Sequence, residues 1–154
     1  MNESNLGFNI KSQVEGDDRE RVGDVREQDI TLTTAEVLAL FTTPKELVAA
    51  PGANKVIQFM GAVGFLDFNS AAYATRGVVT VKYTDGSGTA VSDAVAASAL
   101  VQQADDCYEE FAKTSVETEL TSNAALVLAC DTGNPVTGDS PLRIKIFYRI
   151  LDFS

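Results

Sequence analysis

The sharpest catalytic signal in the chain is Asp131-Thr132-Gly133, which directly follows the apolar run Ala125 to Cys130. A strand ending in Asp-Thr-Gly is the signature of aspartic proteases, where an aspartate from each of two lobes shares one proton. The resemblance stops at these three residues. Only 21 residues follow Gly133, and they read as a loop and one strand, with no flap and no second lobe. A turn at a strand end explains the motif.

Other chemistry is limited by what is missing. With no histidine in the sequence, the commonest general base and metal ligand is absent, and so is any triad or thiol dyad built on it. Cys107 and Cys130 are the two cysteines. They read as reduced thiols, with a disulfide as the alternative, and they cannot build a zinc site. Asp85-Gly86-Ser87-Gly88-Thr89 is rich in oxygen ligands but lacks the bidentate glutamate of a calcium loop, so it reads as a hairpin tip. Asp105, Asp106, Glu109 and Glu110 read as a solvated acidic surface. There is no phosphate loop or dinucleotide fingerprint. No enzyme activity and no cofactor is expected.

Bulk composition narrows the partners. The chain has 154 residues, 45% of them hydrophobic, which suits one globular domain. A formal charge of -10 repels nucleic acid and anionic membrane surfaces. The opening residues MNESNLGFNI carry no basic and apolar signal pattern, and no run reaches the ~20 apolar residues of a membrane span.

The elements that must position any site are mostly strands. Residues 1–28 are acid-rich and aperiodic and read as an extended or disordered arm; residues 29–154 read as the folded domain. Within the arm, Leu6, Phe8 and Ile10 alternate like a short strand, as an arm that orders on a partner would. Thr33 to Glu36 fits a capping box opening one short helix, which stops before Pro44. Strands are expected over Glu46–Ala50, Lys55–Phe68 (bent at Gly61 and Gly64), Gly77–Thr84 and Ala124–Asp131. Phe111–Leu120 alternates loosely. Asp105–Glu110 reads as the start of a loop or a helical turn, and Thr89–Val101 has no clear period. About eight strands, no βαβ rhythm and one helix predict an antiparallel β-sandwich or jelly roll.

The closing strand raises the functional question. Leu142, Ile144, Ile146, Tyr148 and Ile150 share one parity; Arg143, Lys145, Phe147, Arg149 and Leu151 share the other. The first face is core. The second alternates cations with large apolar groups, which either a second layer or another protein must cover. Leu6, Phe8, Ile10, Phe147, Arg149 and Leu151 are therefore the candidate interface residues.

Several ordered segments resemble a group of small tailed-bacteriophage virion proteins. They are Leu40-Phe41-Thr42-Thr43-Pro44, Ala50-Pro51-Gly52-Ala53-Asn54-Lys55, Leu66-Asp67-Phe68 with Ala72-Tyr73, the run Leu126 to Ala129, Asn134-Pro135-Val136-Thr137-Gly138 and Phe147-Tyr148-Arg149. The pattern is similar to that of capsid decoration, or cement, proteins. That resemblance implies a β-sandwich, often a homotrimer, bound to the major capsid protein on the outer surface of a virion assembled in a bacterial cytoplasm. The arm lies outside the matched segments. A neck, tail or receptor-binding component is the alternative within the particle. A carbohydrate-binding jelly roll is the alternative outside it, although such modules favour exposed tryptophan and none is present.

Overall fold

A computed structural model of the chain describes residues 23–75, 77–116 and 118–154. Eight strands form two antiparallel four-stranded sheets. The elements in order are β1 (Arg26–Leu32), α1 (Thr34–Leu38), β2 (Lys45–Val48), β3 (Lys55–Leu66), β4 (Val78–Tyr83), β5 (Val95–Ala96), a 3-10 turn (Ala97–Ala99), β6 (Cys107–Phe111), β7 (Leu126–Cys130) and β8 (Leu142–Asp152). One sheet has the order β1-β8-β3-β6 and the other β2-β7-β4-β5. The pairings β1 with β8, β2 with β7, β3 with β6 and β4 with β5 nest inside one another. They describe one long hairpin rolled up across two layers, which is the eight-stranded jelly roll.

Local sequence explains the element ends. Thr33 caps α1: its Oγ1 accepts the Glu36 N–H at 3.3 Å, and Glu36 Oε2 accepts the Thr33 N–H at 2.8 Å. This is the expected capping box, worth about 1 kcal/mol for a cap of this kind. The Lys45 ammonium bonds the same carboxylate and, with the Thr33 amide, holds Glu36 below the usual carboxylate range.

The interior is filled with side chains. Leu32, Ile57, Phe59, Ile144 and Ile146 from one sheet meet Leu47, Val79, Val81, Leu126 and Leu128 from the other in a single buried cluster. Tyr83 is buried among them, and its hydroxyl donates to the Ile57 carbonyl across the layers. Burial pushes that phenol up to about 12.

Two segments differ from expectation. Asp105–Glu110 is not a helical turn, since β6 begins at Cys107 inside it. Cys107, Glu109 and Phe111 point one way and Tyr108 and Glu110 the other, so a period-2 strand lies under the acidic run. Most of the following stretch to Leu120 is not strand. An isolated bridge between Ser92 and Lys113 joins it to the loop between β4 and β5. Strand pairing also reaches back to Arg26, opposite Tyr148, into the stretch expected to be arm. Residues 1–22 of that arm, with Leu6, Phe8 and Ile10, lie outside the described residues.

Candidate protein-binding face

The two sheets differ on their outer sides. On β7 all five residues are buried, including Val127 and Ala129, which point away from the core cluster. The Asp85–Ser87 turn helps cover them. A Cβ on Gly86 would lie 3.9 Å from the Ala129 Cβ and 3.4 Å from Pro44 Cγ, and Lys82 Nζ donates to the Gly86 carbonyl at 2.8 Å. This is the expected hairpin tip, folded down over its own sheet.

The outer face of β1-β8-β3-β6 is open instead. Strand register sets Val63 beside Lys145 and Glu110, Phe65 beside Arg143 and Tyr108, and Phe147 beside Glu27 and Gly61. Phe65 and Tyr108 stack with ring centroids 4.6 Å apart, and the Arg143 guanidinium lies 5.8 Å from the Phe65 centroid. Tyr108 is nonetheless 71% exposed and Val63 38%. These side chains line a groove of about 580 Å³ that also takes in Thr31 and Phe147. Its rim is charged: Arg143 pairs with Asp67 at 2.8 Å, and Lys145 lies between Glu27 and Asp29. Those two carboxylates hold the Lys145 ammonium above its usual range.

A bulge in β3 builds this face. Phe59 pairs with Tyr148 and Gly61 with Phe147, so Met60 is an extra residue. Before it Ile57 and Phe59 point to the core; after it Ala62 and Leu66 do. The parity switch turns Val63 and Phe65 outward, the re-aiming a bulge performs. Gly61 sits there at φ +152°, a conformation that side chains disfavour.

Of the residues expected to form an interface, Phe147 lines the groove. It does not face the second sheet, because that side of β8 is taken by Ile144, Ile146 and Tyr148. Arg149 and Leu151 keep the same parity but lie beyond the bulge, opposite Gln58 and Val56. The Arg149 Nε is buried and meets no hydrogen-bond partner among the described residues. Arg143 and Lys145 lie on the outward face of β8 as the alternation predicts, whereas Val63, Phe65 and Tyr108 were missed from the sequence. The signal for Tyr108 was its alternation with Cys107 and Glu109.

The catalytic-looking residues have structural work. Asp131 Oδ1 accepts the Val78 N–H at 2.7 Å and the Thr132 hydroxyl at 2.8 Å. Burial pushes this carboxyl up, but those bonds outweigh it and hold it below the usual range. Cys107 and Cys130 are free thiols, both raised by burial, Cys130 to about 11. No group of three or more acidic or thiol side chains able to hold a metal occurs among the described residues. No described helix is long and apolar enough to cross a membrane.

The motif segments noted in the sequence clamp loops together. Asn134 Oδ1 accepts the N–H groups of Phe41 and Thr42 at 2.9 and 3.0 Å, joining the Asn-Pro loop to the end of the helical segment. Asp139 accepts the N–H groups of Ser70 and Ala71 at 3.0 and 2.9 Å and an Asn69 amide hydrogen at 2.8 Å, and its pKa falls to about 2, with the Ser70 hydroxyl bond the largest cause. The Tyr73 ring packs on Gly138, where a Cβ would come within 2.4 Å of it, and the Tyr73 hydroxyl donates to the Ser140 carbonyl.

Comparison with known proteins gives two distant structural likenesses. A chain of the cyanophage Pam1 capsid asymmetric unit matches at 16% identity and TM-score 0.44, over 85% of this chain and 88% of that one. A chain of the Ralstonia phage GP4 capsid matches at 14% identity and TM-score 0.47, over 88% and 90%. Likenesses at these scores carry no argument about function. No family model and no curated protein matches the sequence.

Proposed function

We propose that this chain is a non-enzymatic bacteriophage structural protein of the capsid decoration type, a homotrimer that binds the major capsid protein on the outside of the shell. The observation that carries this reading is the open aromatic face beside a filled interior. A jelly roll that binds a small ligand keeps a cavity or a mouth for it. Here the space between the sheets holds Tyr83, Phe111, Leu126 and Ile146, and the opening at its edge beside Phe59 and Tyr83, about 310 Å³, is smaller than the outer-face groove. The large unpartnered surface is instead a broad strip of Val63, Phe65, Tyr108 and Phe147 with a charged rim, the composition of a protein interface core and its edge. The sequence resemblance to decoration proteins points the same way.

Particles of the encoding phage, made without this protein and then incubated with it, test the reading. Bound density at capsid three-folds supports it. A ring at one vertex would move the assignment to the neck or tail, and unbound particles would end it. The stacked Tyr108 also favours one other reading, a sugar-binding face, because sugar rings pack on exposed aromatic rings. Saturable binding on a glycan array, abolished by Tyr108→Ala, would establish that instead.

A further inference from the structure

One row of planar groups crosses the outer sheet and stops at its edge. Arg143 of β8, Phe65 of β3 and Tyr108 of β6 are register neighbours. The Arg143 guanidinium lies 5.8 Å from the Phe65 centroid, and the Tyr108 ring stacks on Phe65 at 4.6 Å. β6 ends the sheet, and Tyr108 is left largely exposed. We propose that an arginine of the partner protein completes this row, its guanidinium stacked on the outward side of Tyr108 and bonded to the Glu110 carboxylate. This rests on the reading of that face as a protein interface and names the chemistry it recognises in the shell protein.

Charge favours a cationic occupant. Both cations of the face are satisfied within the chain, Arg143 by Asp67 and Lys145 by Glu27 and Asp29. Glu110 stands at the other end of the groove, beside Val63 and two strands from Lys145, a separation of about 10 Å. It makes no ion pair among the described residues. The uncompensated charge at the β6 end is therefore negative, and a partner that complements it brings a cation there.

Geometry favours arginine over lysine. Tyr108 and Glu110 are alternate residues of β6 on one face, about 7 Å apart. A guanidinium within about 6 Å of a ring centroid gains a cation–π contact, and its fork of N–H donors leaves an edge free for a carboxylate. One arginine therefore engages both groups at once. An ammonium has no plane to stack, so lysine reproduces the charge and not the row.

The floor of the groove sets what flanks that arginine. Next to Glu110 it is apolar, made by Val63 and Phe147. Gly61 beside Phe147 adds a recess, since a Cβ there would meet only the Phe111 carbonyl oxygen, at 3.9 Å. In an extended segment the residue two places from the arginine shares its face and lies about 7 Å away. An apolar side chain at that place reaches the recess. The partner segment is thus an arginine with an aliphatic residue two positions from it.

The test titrates the full chain with three capped peptides, Leu-Ser-Arg-Ser-Leu and its forms with lysine or glutamate at the centre, read by NMR. The arginine peptide is expected to shift the Tyr108 ring and Glu110 carboxylate signals saturably. The lysine peptide should bind about threefold more weakly and the glutamate peptide not at all. Tyr108→Ala should erase the preference for arginine, and Glu110→Gln should weaken both cationic peptides about fivefold. Equal binding of the arginine and lysine peptides, shifts centred elsewhere, or no saturable shift would overturn the arginine receptor. Phage particles separate the two readings. Particles that bind the wild type and a Tyr108→Ala, Glu110→Lys double variant alike defeat only the receptor. An arginine peptide that seats on a chain no particle binds defeats only the capsid reading.

Discussion

Adjacent residues on β8 should fail in different ways. Ile146 is fully buried between the sheets, whereas Phe147 stands half-buried on the outer face. Ile146→Ala removes three carbons, each worth about 0.8 kcal/mol of transfer free energy, and leaves a cavity that raises the cost to about 3–4 kcal/mol. For a chain of this length that lowers Tm by about 10 °C. Phe147→Ala removes more atoms but fewer buried ones. It should cost the folded subunit about 1 kcal/mol, or roughly 2–4 °C. Its larger effect should fall on assembly, so its Tm deficit should grow at protein concentrations where the wild-type chain is oligomeric. The deficit of Ile146→Ala should not vary with concentration. Calorimetric melts over a hundredfold concentration range read both effects. Equal, concentration-independent losses at the two positions would refute the assignment of Phe147 to an interface.

The Asp131→Asn variant should leave every activity of the protein unchanged and weaken the bonds from the Val78 amide and the Thr132 hydroxyl, the first visible as faster hydrogen exchange at the Val78 N–H. Asp139 is acidified in the fold, so its contribution is present above about pH 4 and is lost as pH falls towards 2. The urea midpoint gap between wild type and Asp139→Asn should therefore be widest near neutral pH and close over that window; a constant gap would contradict the role given to the carboxylate. A thiol reagent at pH 7.5 should label Cys130 only after denaturation, and a non-reducing digest should contain no Cys107–Cys130 peptide. Gly138→Ala should be strongly destabilising, since φ is +80° and the Tyr73 ring blocks the Cβ, with a lower urea midpoint as the readout.

Much of the fold was legible because its signals are local. The Thr33–Glu36 box announces a helix start through side chains that reach three residues along the chain. The Leu142–Asp152 alternation announces a strand because one face is core. The bulge at Met60 was foreshadowed by Gly61, but its consequence was not, because the parity switch shows only once pairing with Phe147 is known. Gly64, also expected to mark a bend, instead lies in a regular part of the ladder. It is small because Leu100 and Phe111 side chains approach to 3.1 Å of where its Cβ would be. Strand β6 was hidden because Glu109 and Glu110 dominate its composition, while the alternation that decides it needs Phe111 inside and Tyr108 outside. The nested pairing of eight strands has no local signal at all. The candidate face was half legible for the same reason: Phe147 and its cations lie within one strand, but Val63, Phe65 and Tyr108 join them only across three.

The most direct test of the proposed decoration role is the thermal rupture of phage capsids with and without this protein, followed by genome release. The account predicts that particles lacking it rupture at lower temperature, and that adding the purified oligomer restores the wild-type value at saturating occupancy. Unchanged rupture, together with no bound protein, would contradict a decoration role.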